Sequence, residues 1–206
     1  MPRIRPKATQ FSKRLRQLEK EGLSKRKFTL RPEVLLCGNI PTPMHGMAPR
    51  VVMGASWWEK ERQISFAKTE HHCLSCGVHK SKAKARKWVE GHELYDIDYR
   101  LGLMTYVETV PLCHYCHLYI HDGRMLALVQ KGQMHAGKMV GVLQHGDKVL
   151  EASGYARMSR TDRDNEIKEM IINGTIAEWG DWRLVLHGEK YPPLFATKEE
   201  YEAHYA

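Results

Sequence analysis

Two C-x2-C pairs, Cys73/Cys76 and Cys113/Cys116, constrain this chain more than any other feature. Soft thiolates at that spacing suit a tetrahedral zinc ion, because each pair turns both sulfurs toward one ion from a single tight knuckle. The 36 residues between the pairs exceed the roughly 15–20 of a simple zinc ribbon, so the knuckles must bracket further structure. Residues 88–99, WVEGHELYDIDY, alternate as a strand should, and TYVETVPL at 105–112 supplies a return partner across a turn at 100–102. The second knuckle then leads into a helix through CHLYIH that should stop near Gly123. The order knuckle, hairpin, knuckle, helix predicts an α+β unit over residues 71–123.

The fifth cysteine, Cys37, has no partner at metal spacing. Four of five cysteines in C-x2-C pairs favour metal binding over a disulfide framework. No apolar run approaches the roughly 18 residues of a membrane span, and MPRIRPK is not followed by the apolar core of a signal peptide. The expectation is a cytosolic protein.

At 206 residues the chain has room for one domain with appendages, or one and a half. Its formal charge of +8 is unevenly placed. Residues 1–30 hold ten Lys/Arg against two acids, so the remaining 22 basic and 22 acidic residues balance. A basic arm on a neutral body suggests a polyanionic partner, with a solvated tail as the alternative. Arg3, Arg5, Lys7, Lys13, Arg14 and Arg16 are the candidate phosphate contacts in the arm. Lys80, Lys82, Lys84, Arg86 and Lys87, with no acid among them, are the candidates beside the first knuckle.

Along the chain, residues 1–29 read as the arm, with a short basic helix over 11–21. Residues 30–70 hold a Pro- and Gly-rich wrapping stretch that carries Cys37 and His45, then a helix beginning near Ser56. In that helix Trp57 with Ile64, and Trp58 with Phe66, should turn one stripe inward. Residues 124–206 read as a helical extension. The clusters at 124–153, broken by Gly132, Gly137, Gly141 and Gly146, predict short helices joined by tight turns. A firmer helix follows in SRTDRDNEIKEMIING, with Ile167, Met170 and Ile171 on one face and Gly174 past its end. WGDWRLVLHGEKY then reads as a strand, and a Thr197/Glu200 capping box opens a last helix.

The histidines separate from the thiols by helical phase. His117 and His121, four apart, lie about 40° from each other around a helix, whereas Cys116 and His117 differ by about 100°. One ion does not easily serve all three, so the sequence proposes a closed site on the four sulfurs and a more open metal position on His117 and His121. His92, on the first strand of the hairpin, is suited to deprotonate water beside a metal-bound phosphate, since an imidazole titrates near neutrality.

Taken together, CLSC, EGHELYD and CHYCHLYIH resemble the HNH endonuclease unit of the ββα-metal class with treble-clef zinc knuckles, most closely the small HNH-type proteins common in bacteriophage genomes. The resemblance covers about fifty residues. It implies a ββα-metal unit embedded in a mainly helical small domain. It also implies a structural Zn²⁺ on Cys73, Cys76, Cys113 and Cys116, and Mg²⁺ or another divalent ion on His117 and His121. His92 falls on the general base and Glu108 on the position of the family's middle Asn, which orients that base. The residue before the base, usually an Asp or His ligand, is Gly91 here. Asp96, four residues beyond His92, is a further candidate carboxylate partner. His71, His72 and His114 would face phosphate or solvent, and His79 carries no role.

The function these features imply is metal-dependent hydrolysis of phosphodiester bonds in DNA, as nicking or double-strand cutting. The alternatives are a zinc-stabilised nucleic-acid-binding protein that has lost the chemistry, motivated by Gly91 and Glu108, and a phage structural or assembly component that docks a protein partner.

Overall fold

A computed structural model of the protein describes residues 27–155 and 158–205. The arm residues Arg3, Arg5, Lys7, Lys13, Arg14 and Arg16, and the helix expected over 11–21, lie outside the described residues. The structure is mixed α+β and falls into two compact units, each drawn from three stretches of chain. Among the described residues the first unit comprises 27–35, Lys68–Val89 and 112–155, and the second Leu36–Ala67, Glu90–Pro111 and 158–205.

In the second unit the Pro-rich stretch forms only short elements, the 3-10 turn Thr42–Met44 and helix α1 (Pro49–Met53), because each proline sits where a helix begins and none can continue one. Helix α2 (Ala55–Lys68) follows directly. Phe66 is buried as expected, but Ile64 is 49% exposed, so the inward stripe runs through Trp58 and Phe66 and not through Ile64. The helix is polar enough that only part of one side meets apolar neighbours.

A four-stranded sheet runs in the order β1 (Val89–Asp98), β2 (Leu103–Cys113), β3 (Arg183–Leu186), β4 (Glu189–Tyr191). β1 and β2 form the expected hairpin. Its turn carries Gly102 at φ +66°, where an added Cβ would stand 2.9 Å from the Cβ of Ala177, so both backbone angle and space demand glycine. Asp98 stabilises the same turn by accepting from the amides of Arg100 and Leu101, each at 2.9 Å. β3 pairs with β2 in parallel, Met104 opposite Leu184, and β4 returns antiparallel through a turn at His187 and Gly188. The single strand read over WGDWRLVLHGEKY is therefore a hairpin, because His187 and Gly188 both adopt positive φ and reverse the chain.

Met44, Met104, Trp182 and Leu184 form the fully buried centre of this unit, flanked by Ile40, Tyr95, Ile97 and Tyr99. Helix α6 (Met158–Ile172) ends where Gly174 takes φ +62°, as expected. Ile171 is nonetheless 57% exposed and does not join an inward face. Helix α7 (Lys198–Tyr205) is capped by Thr197, whose Oγ1 accepts from the Glu200 amide at 3.2 Å, while Glu200 reaches back to the Ala196 amide at 2.8 Å.

The first unit is helical around its cysteine knuckles. Helix α3 (His114–Ile120) stops at His121, and α4 (Asp122–Gln130) starts immediately after it. The stop is thus two residues earlier than Gly123, and Gly123 lies inside the first turn of α4. The segment expected as short helices contains the 17-residue helix α5 (Ala136–Ala152), which accommodates Gly137, Gly141 and Gly146. Val142, Gly146 and Leu150, spaced by four, are its buried stripe, and α3, α4 and α5 pack against one another. No helix among the described residues is long and apolar enough to cross a membrane.

Candidate metal centre

The first knuckle is made by its own backbone. Glu70 and His71 both take positive φ just after α2, turning the chain sharply into the Cys73 loop. The Gly77 amide donates to the Cys73 carbonyl and the Cys73 amide to the Val78 carbonyl, each at 2.9 Å, and His72 bridges to His79 beyond them. This closed turn is what points Cys73 and Cys76 the same way. The second knuckle uses the start of a helix: β2 ends at Cys113, which is the N-cap of α3, and its sulfur accepts from the Cys116 amide at 3.5 Å.

The four sulfurs converge. One ligand atom from each of Cys73, Cys76, Cys113 and Cys116 lies within 4.8 Å of every other, and all four thiols are free of disulfides. The Cys76 and Cys113 sulfurs are 3.8 Å apart, which matches the edge of a tetrahedron with metal–sulfur bonds of about 2.3 Å. Cys73, Cys113 and Cys116 are buried. The donor set fits a metal ion such as zinc.

The four thiols also shift one another's ionisation. Hydrogen bonds from Cys116, Cys73 and Cys76 drive the Cys113 thiol far below its ordinary range, toward thiolate. Giving those hydrogen bonds pushes Cys76 and Cys116 up. A cation among four such close sulfurs supplies the charge that lets them ionise together.

His117 and His121 meet one another as their spacing suggests, with ring centroids 4.9 Å apart and planes at 70°. The geometry differs from two positions on one helix face: His121 is the residue between α3 and α4, with φ −95° and ψ 47°. Its amide still donates to the His117 carbonyl, at 3.4 Å. His114, expected to face phosphate or solvent, is buried, because the first turn of α3 packs into the unit that holds the sulfurs. His71 and His72 are half-buried. His72 has Nδ1 3.0 Å from the Thr69 and Glu70 carbonyls, so a hydrogen on that nitrogen serves the turn. His79 caps the 3-10 turn Lys80–Lys82 by accepting the Ser81 amide, and burial together with the charges of His72 and Lys80 holds its pKa down.

In the second unit His92 is buried on β1, and Glu108 is half-buried on β2. Asp96 is exposed, toward the turn end of the hairpin. Gly91 has a structural reason: a Cβ there would lie 3.2 Å from the Cβ of Arg62 and 3.3 Å from both the Trp58 ring and the Thr109 methyl. Those side chains occupy the space a ligand side chain would need. Beside them Arg50 makes a 2.7 Å ion pair with Glu93 and lies over the Trp58 ring. Tyr106 and Thr109 join through their hydroxyls at 2.9 Å.

Of the candidate phosphate contacts, Lys82, Lys84, Arg86 and Lys87 are exposed and Lys80 is half-buried. Two of them lie over rings, Arg86 over Trp88 at 5.5 Å and Lys84 over Tyr115 at 5.9 Å. Trp88 itself is 52% exposed. Cys37 is half-buried, and His45 is held by Tyr201 Oη at 2.9 Å and the Ile40 carbonyl at 3.1 Å, a packing role.

One residue at the metal centre has no signature in the sequence. His145 on α5 brings Nε2 to 3.3 Å from the Cys116 sulfur. It stands 29 residues beyond Cys116, far from any metal-ligand spacing.

No protein-family model, curated protein or solved structure matches the chain.

Proposed function

We propose that the protein is a metal-dependent endonuclease of the HNH type that hydrolyses phosphodiester bonds in DNA. Cys73, Cys76, Cys113 and Cys116 hold a structural zinc, which fixes the start of α3. His117 and His121 supply ring nitrogens to a catalytic divalent ion, Mg²⁺ or a relative. His92 accepts a proton from water as the new O–P bond forms, the P–O bond to the leaving oxygen breaks, and that oxygen takes a proton from solvent. The divalent ion, when bound, supplies charge to the phosphate oxygens. Lys80, Lys82, Lys84, Arg86 and Lys87 grip the backbone, as do the basic residues of the arm, and nothing in this set reads bases.

The observation that carries the reading is the His117–His121 pair, 4.9 Å between centroids and directly following the convergent cysteines. Four sulfurs alone make a structural site. Two imidazoles set immediately after them supply nitrogen donors that an ion already held by four sulfurs has no position for.

Supercoiled plasmid incubated with the purified protein and Mg²⁺, Mn²⁺ or Ni²⁺ tests it. The expected result is metal-dependent nicking, blocked by EDTA and reduced about 10²–10⁴-fold in His92→Ala. Absence of cleavage with every metal, with plasmid retarded equally by both proteins, would replace it with the second reading.

That second reading, a zinc-stabilised nucleic-acid-binding protein, is favoured by one feature. The space beside Gly91 is filled by Trp58, Arg62 and Thr109, so the position that the resemblance assigns to a metal ligand is packed shut.

A further inference from the structure

Four thiolates around a dication carry a net charge of −2, here with Cys73, Cys113 and Cys116 all buried. Such a charge is costly unless hydrogen-bond donors face it. One donor is local, the Cys116 amide on the Cys113 sulfur at 3.5 Å. Another comes from a different helix: Nε2 of His145 lies 3.3 Å from the Cys116 sulfur and 4.0 Å from the Cys113 sulfur. A metal-bound thiolate has no hydrogen to give, so the imidazole is the donor in that contact.

The placement is built into α5. At Gly146, the next residue, an added Cβ would overlap the Tyr119 ring of α3, so the two helices approach as closely as a bare backbone allows. Tyr119 also donates its hydroxyl hydrogen to Asp147 at 2.9 Å, which fixes the rotation of α5 relative to α3. The residue just before this double contact is thereby directed at the sulfurs. The Tyr115 ring meets the imidazole edge-on, with centroids 5.7 Å apart and planes at 86°.

We infer that His145 is a fixed N–H···S donor to the thiolates of the Cys73/Cys76/Cys113/Cys116 centre, a positioning residue that ties α5 to the metal and slows its release. The inference rests on the reading of that centre as a zinc site. Outer partners of this kind orient ligands and commonly account for 10–100-fold in metal affinity.

The test compares full-length wild type, His145→Leu and His145→Gln, each loaded with Zn²⁺ and separately with Co²⁺, with circular dichroism as the check on folding. His145→Leu should give up zinc to a chromophoric chelator about 10–100-fold more readily. It should also move the sulfur-to-cobalt charge-transfer band to lower energy, because the sulfur lone pairs lose their hydrogen bond. His145→Gln, which retains an N–H donor, should restore most of both. Unchanged chelator competition and an unmoved band in His145→Leu would overturn the inference while leaving the zinc site standing, as would equal loss in Leu and Gln. Wild type that binds neither metal would overturn the zinc reading and the inference together. A measurement on wild type alone guards against variants that fail to fold: imidazole ¹⁵N spectra of the zinc form should show the hydrogen of His145 on Nε2, and finding it on Nδ1 alone overturns the inference.

Discussion

Tyr119 and Gly146 meet ring to backbone, so closely that a single methyl group on Gly146 would overlap the ring. That contact sets the distance between α3 and α5, and with it the second knuckle. Alanine is worth roughly 1 kcal/mol more than glycine in a helix interior, yet here it would force Tyr119 out of its buried site. Gly146→Ala should therefore lower unfolding stability by about 1–3 kcal/mol, read as a lower urea midpoint with an unchanged slope. A rise in the midpoint would mean that α3 and α5 separate freely.

The cysteine centre should hold one tightly bound zinc per chain. Cys113 is the most demanding position, since it ends β2, caps α3 and receives hydrogen bonds from the other thiols. In Cys113→Ser the metal content by elemental analysis should fall well below one, and the first unit should lose its cooperative transition, because the binding energy of such a site, about 10–16 kcal/mol in small zinc folds, is folding energy. Purified wild type that is folded yet free of metal would remove the premise.

Gly91 should resist conversion to Asp. Asp at this position would place its Cβ against Arg62, Trp58 and Thr109 at 3.2–3.3 Å, with a carboxylate still to accommodate. Gly91→Asp should cost about 1–3 kcal/mol of stability and should not raise cleavage. Calorimetry and the plasmid assay, run side by side on this variant, check both halves.

The basic segment should act through phosphates. Replacing Lys82, Lys84 and Arg86 together by Ala should flatten the dependence of log K on log salt, by about 0.9 per duplex phosphate contact removed. The effect should be equal on oligonucleotides of unrelated sequence. A slope identical to wild type would make this segment a solvated loop.

The cysteine cluster was legible in the sequence because its members obey local rules. A C-x2-C pair is within reach of one ion whatever surrounds it, and the hairpin between the pairs announced itself by alternation and by a turn at Gly102. The H-x3-H spacing likewise brought His117 and His121 together, even though the chain leaves helix α3 at His121 and re-enters helix one residue later. Local signals failed where a neighbour overrode them. Gly137, Gly141 and Gly146 read as turns, yet they lie in one helix, and at Gly146 the reason is the Tyr119 ring. Ile64 and Ile171 have the right spacing for an inward stripe but remain 49% and 57% exposed.

By itself, then, the sequence determined the four sulfurs, the two paired imidazoles, the hairpin that carries His92 and the α+β character, because each depends on residues close together in the chain. Tertiary structure alone decided that β3 would lie parallel to β2, that Gly91 would be packed shut by Trp58, Arg62 and Thr109, and that His145 would face the Cys116 sulfur. Those outcomes depend on which surfaces meet across long separations in sequence, and what selects them is close packing against particular neighbours, which no spacing rule encodes.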